Sequence, residues 1–149
     1  MKTKTVTQLA YEFKERYPMS VAWRIHKNAR VVEQHLNPGE VPLYVFVAQK
    51  NNNPFDFFQT AVIALTNKRI LIGRDRVVIG YFLDGITPDM FNDLKVISGV
   101  IWGKVVIDTI KEEIFLSNIS KEALDEIETN ITEYMMKEKR KYASSTMKK

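Results

Sequence analysis

Cysteine is absent from this chain, which excludes a disulfide framework, a thiolate nucleophile and any zinc site built on cysteine. Histidine is almost as scarce: His26 and His35 are the only two. Their spacing does not set both on one metal, and no H-E-x-x-H pattern accompanies them, so they read as surface or packing residues and no metal is expected. The six glycines are scattered and build neither G-x-G-x-x-G nor G-x-x-x-x-G-K, so no phosphate-cradling loop is present. No apolar run approaches the ~20 residues that a membrane-crossing helix needs. The basic start, Met1-Lys2-Thr3-Lys4-Thr5, is not followed by an apolar signal core. Glu112 and Glu113 are neighbours in a strand or turn and face opposite ways, so they form no acid–base couple. The expectation is a cytoplasmic, non-enzymatic protein without a cofactor.

What is present is an ordinary globular composition, 45% apolar and 27% charged over 149 residues, enough for one domain with appendages. The formal net charge is +4, and its placement matters more than its size. Between residues 41 and 117, eight lysines and arginines are balanced by eight aspartates and glutamates. The excess lies in the first 40 residues and in the tail, from Lys137-Glu138-Lys139-Arg140-Lys141 to Lys148-Lys149.

Periodicity divides the chain. Residues 5–16 fit a short helix that Pro18 stops. A second helix is expected from about residue 20 to the breaker Asn37-Pro38-Gly39, with Val21, Ile25, Val32 and Leu36 on one face. The period then shifts towards two. Strands are expected at 43–47, 60–65, 69–72, 77–83, 94–98, 104–109 and 113–116, with turns at Thr66-Asn67-Lys68 and at Gly73-Arg74-Asp75-Arg76. Asp84-Gly85 should break the fourth. Strands without intervening helices predict an antiparallel barrel or sandwich. Residues 120–139 form an amphipathic helix with Ser120 as N-cap, an Ile119–Leu124 staple and an apolar stripe of Leu124, Ile127, Ile131, Tyr134 and Met135. Its ~30 Å length suffices to close the open end of a small barrel. The domain plan is a helical extension at 1–36, a strand-rich domain at 37–139 and a basic flexible tail at 140–149.

Seven strands closed by one C-terminal helix resembles the pleckstrin-homology (PH) fold, a mainly β, α+β architecture. Leu65-Thr66-Asn67-Lys68-Arg69-Ile70-Leu71-Ile72 is similar to the Leu-Thr-Asn-x-Arg hairpin of bacterial PH-like domains, the YokE-like group. Leu36-Asn37-Pro38-Gly39-Glu40, Leu83-Asp84-Gly85-Ile86-Thr87, the Gly99–Lys104 link and Asn118-Ile119-Ser120-Lys121-Glu122 resemble further family segments in the same order. The resemblance covers about residues 36–136. It implies a binding or assembly role, makes a homo-oligomer plausible and supplies no catalytic residues.

Two groups of residues are candidates for contact. Lys50, Lys68, Arg69, Arg74 and Arg76 are the cations of the strand-rich body available for an anion. The loop Lys50-Asn51-Asn52-Asn53-Pro54 carries one lysine and no arginine partner, unlike a phosphoinositide-binding PH loop. Phe55, Phe57 and Phe58, with Lys137, Lys139, Arg140 and Lys141, are candidates for touching a partner or an anionic membrane. No aromatic-interleaved basic stripe points to specific nucleic-acid binding. Trp23 and the N-terminal helices either pack on the strands or face another chain. The leading expectation is a module that binds a protein partner or itself, the alternative is a peripheral membrane module, and non-specific nucleic-acid binding through the basic tail ranks third.

Overall fold

The computed structural model describes residues 4–51, 59–76 and 79–147, the last six by backbone alone. Helices α1 (Val6–Arg16) and α2 (Ile25–Gln34) precede the strands. Thr5 caps α1 in a reciprocal box: its hydroxyl accepts from the Gln8 amide, and the Gln8 side chain accepts from the Thr5 amide. Helix α2 starts five residues later than the pattern suggested, because residues 20–24 are non-helical, with Arg24 in the left-handed region, and are bonded elsewhere.

The strands are β1 (Pro42–Gln49), β2 (Thr60–Thr66), β3 (Ile70–Asp75), β4 (Tyr81–Ile86), β5 (Phe91–Ser98), β6 (Gly103–Thr109) and β7 (Glu113–Ile119), and every pairing is antiparallel. Their order, β4-β3-β2-β1-β7-β6-β5, leaves β4 and β5 at the two ends. The halves β1–β4 and β5–β7 meet through a single registered pair, Gln49 with Ser117. Several boundaries differ from the sequence reading: β4 begins at Tyr81 rather than 77, β5 at Phe91 rather than 94, β7 runs to Ile119 rather than 116, and two expected breaks are absent. Residues 73–75, expected as a turn, continue β3, whose Gly73, Arg74 and Asp75 pair with Leu83, Phe82 and Tyr81. Strand β4 runs through Asp84-Gly85, which the ladder to Leu71 and Ile72 holds extended.

All seven residues of β2 are buried, which requires cover on both faces. Helices α1 and α2 lie on one face of β1–β3, contributing Val6, Ala10, Phe13, Ala29 and Val32 with no exposed surface. Gly73 permits this contact: a Cβ there would fall 2.6 Å from Val32 Cγ2. Phe46, Ile63 and Leu71 share one core with Ile107, Leu116 and Ile127.

After a 3-10 turn at Lys121–Ala123, α3 (Leu124–Met147) crosses from Tyr44, bonded to Glu126, to Phe91, which lies under Lys139. It runs eight residues beyond the expected end at 139. Its stripe is the expected one: Leu124, Ile127, Ile131, Tyr134 and Met135 are all buried. Ser120 is not its cap, however. Its hydroxyl makes no capping bond, and its amide donates to Ser20 Oγ at 2.8 Å.

Candidate functional site

The cations singled out in the sequence do not form one site. Lys68 and Arg69 precede β3, whereas Arg74 and Arg76 lie at its far end, separated by most of a strand about 20 Å long. Arg69 is turned inward. Its Nε and Nη2 donate to the two carboxylate oxygens of Glu40, each at 3.1 Å, and Nη2 also donates to the carbonyl of His35 at 3.1 Å. The Glu40 side chain has no exposed surface, and it also accepts from Thr66 Oγ1 at 2.6 Å and from the Asn37 amide at 3.0 Å. Asn67 completes the knot by accepting from the Val41 amide and donating to the Gly39 carbonyl. Burial works against ionisation of Glu40, but the bonds from Arg69, Asn37 and Thr66 hold its carboxyl below the usual range. The Leu-Thr-Asn-x-Arg hairpin and the Pro-Gly-Glu lead-in are therefore one device, joining the β2–β3 turn to the entry of β1 and the end of α2.

Lys50 is paired with Asp84 on β4. Arg74 and Arg76 share the face of Phe82, with guanidinium carbons 4.6 and 5.2 Å from its ring centre. Asp75 between them is taken by Arg24 at 2.6 Å. Lys68 is exposed at the hairpin tip. On α3, Lys137 and Arg140 are exposed, Lys139 stands over Phe91, and Lys141 lies 3.4 Å from Glu138. Phe55, Phe57 and Phe58 lie outside the described residues.

A surface that the sequence reading did not assemble forms where the two halves of the sheet meet. Residues 17–24 cross the seam. The Val21 amide donates to the Asn118 carbonyl at 2.9 Å, and Gln49 Nε2 donates to the Val21 carbonyl at 3.1 Å. The Trp23 amide donates to Thr60 Oγ1 at 3.1 Å, and Trp102 Nε1 donates to the Met19 carbonyl at 3.0 Å. Ser20, Gln49, Thr60, Ser117, Asn118 and Ser120 are all buried along this line. The segment thus supplies hydrogen bonds that the brief β1–β7 ladder does not.

The Val21 and Trp23 amides and the Val21 carbonyl are bonded inward, and large side chains are left outside. Met19 is 67% and Trp23 59% exposed; in the β5–β6 turn, Val100 is 94% and Ile101 62% exposed. A groove of about 330 Å³ runs between residues 18–23 and Trp102, with Lys14 at its wall. The Lys14 ammonium is bonded to the Pro18 and Ser20 carbonyls, so it serves the loop. The turn tip is where polar residues are the norm, and Val100-Ile101-Trp102 between two glycines was the legible sign of this corner.

Comparison with protein families finds that the bacterial PH domain model matches residues 36–133. The chain belongs to the bacterial PH domain family. The match is to that family as a whole and does not single out the YokE-like group. It begins at residue 36, leaving α1 and α2 outside it, although both contribute fully buried residues. Comparison with curated proteins and with solved structures finds no match. PH-like domains commonly act as binding modules. Among the described residues, no group of His, Asp and Glu is placed to hold a metal ion, and no helix is long and apolar enough to cross a membrane.

Proposed function

We propose that this protein is a non-enzymatic association module that makes its protein contact, with a second copy as the first partner to test, through the corner formed by Met19, Trp23, Val100 and Ile101. The observation that carries the reading is the exposure of four large apolar side chains beside a groove, on two segments tied by the Trp102–Met19 bond. Contiguous exposed apolar surface is costly in a lone soluble protein and marks contact sites. Trp23, exposed at the wall of the groove, fits an anchor that desolvates on binding. The body cations favour a protein over an anionic headgroup, because Lys50 and Arg69 already hold Asp84 and Glu40.

Light scattering on the wild type and on a Trp23→Ser, Ile101→Asp double variant tests this, at low and at high salt. The wild type is expected to associate beyond the mass of the variant and to keep that excess in high salt, with equal circular dichroism for the two. Equal masses would overturn the corner as a self-contact. Salt-sensitive binding to vesicles containing anionic lipid, lost on neutralising Lys137, Lys139, Arg140 and Lys141, would instead favour the membrane reading.

A further inference from the structure

We infer that the free edge of β5 is a second, separate contact, at which two copies of this chain pair antiparallel about Leu94. The inference goes beyond the corner described above and does not depend on it. Among the described residues, strand β5 ends the sheet, bonded to β6 on one side only. The direction of its backbone groups follows from two observations. The Gly99 amide bonds Trp102 across the hairpin, so the alternate residues Ile97, Lys95 and Asp93 face β6. The Leu94 amide is instead held by the carboxylate of the neighbouring Asp93 at 2.8 Å. Leu94, Val96 and Ser98 therefore turn their backbone groups to the open side. A groove of about 300 Å³, lined by Asn92, Asp93, Leu94, Met136 and Lys139, separates the start of this edge from α3, so the helix does not fill it.

Charge selects the register. The side chains of Asp93, Lys95 and Ile97 are exposed on the outer face, while Leu94 and Val96 are half-buried. An antiparallel pair centred on Lys95 would oppose two ammonium groups, which is destabilising. A pair centred on Leu94 sets Asp93 of each copy opposite Lys95 of the other, twice, and joins the two Leu94 residues by reciprocal backbone bonds. The Leu94 amide then has a carbonyl partner, and the Asp93 carboxylate is released to meet the lysine. The bulge between Phe91 and Asp93 ends the regular ladder, so the contact is short and the dimer weak, and the isolated chain does not polymerise through this edge.

The test is sedimentation equilibrium in low salt on variants that all carry Trp23→Ser and Ile101→Asp, so that the corner cannot contribute. That parent is expected to dimerise at high concentration. Adding Asp93→Lys or Lys95→Asp should each weaken the dimer at least tenfold, because each creates two like-charged pairs. Mixing these two non-associating proteins should restore a heterodimer, and combining both reversals in one chain should restore the homodimer. Monomers throughout, or dimers indifferent to every reversal, would overturn the edge contact while leaving the corner untouched. Folding is checked by circular dichroism, and both substituted side chains are exposed.

Discussion

Two carboxylates hold the ends of the chain to the sheet. Glu40 binds Arg69, and Glu126 on α3 accepts from Tyr44 at 2.6 Å, from Arg16 at 3.1 Å and from Tyr17 at 3.2 Å, fastening α3 to β1 and α1. Burial opposes ionisation of Glu126, yet the bonds from Tyr44 and Arg16 keep its carboxyl below the usual range, and the Tyr44 phenol is pushed up by burial and by Glu126. Both carboxyls are depressed on folding, so their stabilisation is complete above the unfolded value of about 4.3 and is lost as pH falls through the folded values. Urea midpoints should therefore drop steeply below about pH 4, and less steeply in Glu126→Gln. Replacing Glu40 with alanine leaves Arg69 half-buried without its carboxylate and should cost about 3 kcal/mol, read from urea unfolding. At this scale the sequence was misleading: Arg69 looked like a surface cation because its partner lies 29 residues away.

Among the elements, the strands were legible because β-branched and aromatic runs alternate with turn residues, and α3 was legible from its stripe. The start of α2 was not. Ser20 and Val21 look helical in sequence, but their polar atoms are drawn into the seam by Ser120, Asn118 and Gln49. Nor was the start of α3: a 3-10 turn at Lys121–Ala123 stands between Ser120 and the helix, and the Ser120 hydroxyl makes no capping bond. Close approach of elements is equally silent in sequence. A Cβ at Gly103 would fall 2.5 Å from Leu124 Cδ1, so Gly103→Ala must displace the first residue of α3. Such overpacking should cost about 1–3 kcal/mol in thermal or urea unfolding, where an exposed glycine would tolerate the change.

For the whole molecule, the N-terminal helices are part of the fold. Phe13, Val6, Ala10 and Val32 have no exposed surface and lie on β1–β3, whose β2 is buried on both faces. Deleting residues 1–35 should therefore unfold the protein and leave no stable smaller domain, as circular dichroism and loss of a cooperative thermal transition would register. A folded, cooperative remnant would contradict this. The proposed contact surface was only partly legible: Trp23 and the Val100-Ile101-Trp102 turn stand out in sequence, but Trp23 and Trp102 are 79 positions apart in the numbering, and the Met19–Trp102 bond unites their segments only in three dimensions.

That placement offers a direct probe, since Trp23 and Trp102 are the only two tryptophans and both belong to the corner. Their emission and its quenching by acrylamide, followed against protein concentration at high salt, test whether the corner is the contact. A blue shift and falling quenching as the mass rises are predicted. Association with emission that stays red and fully quenchable would contradict it.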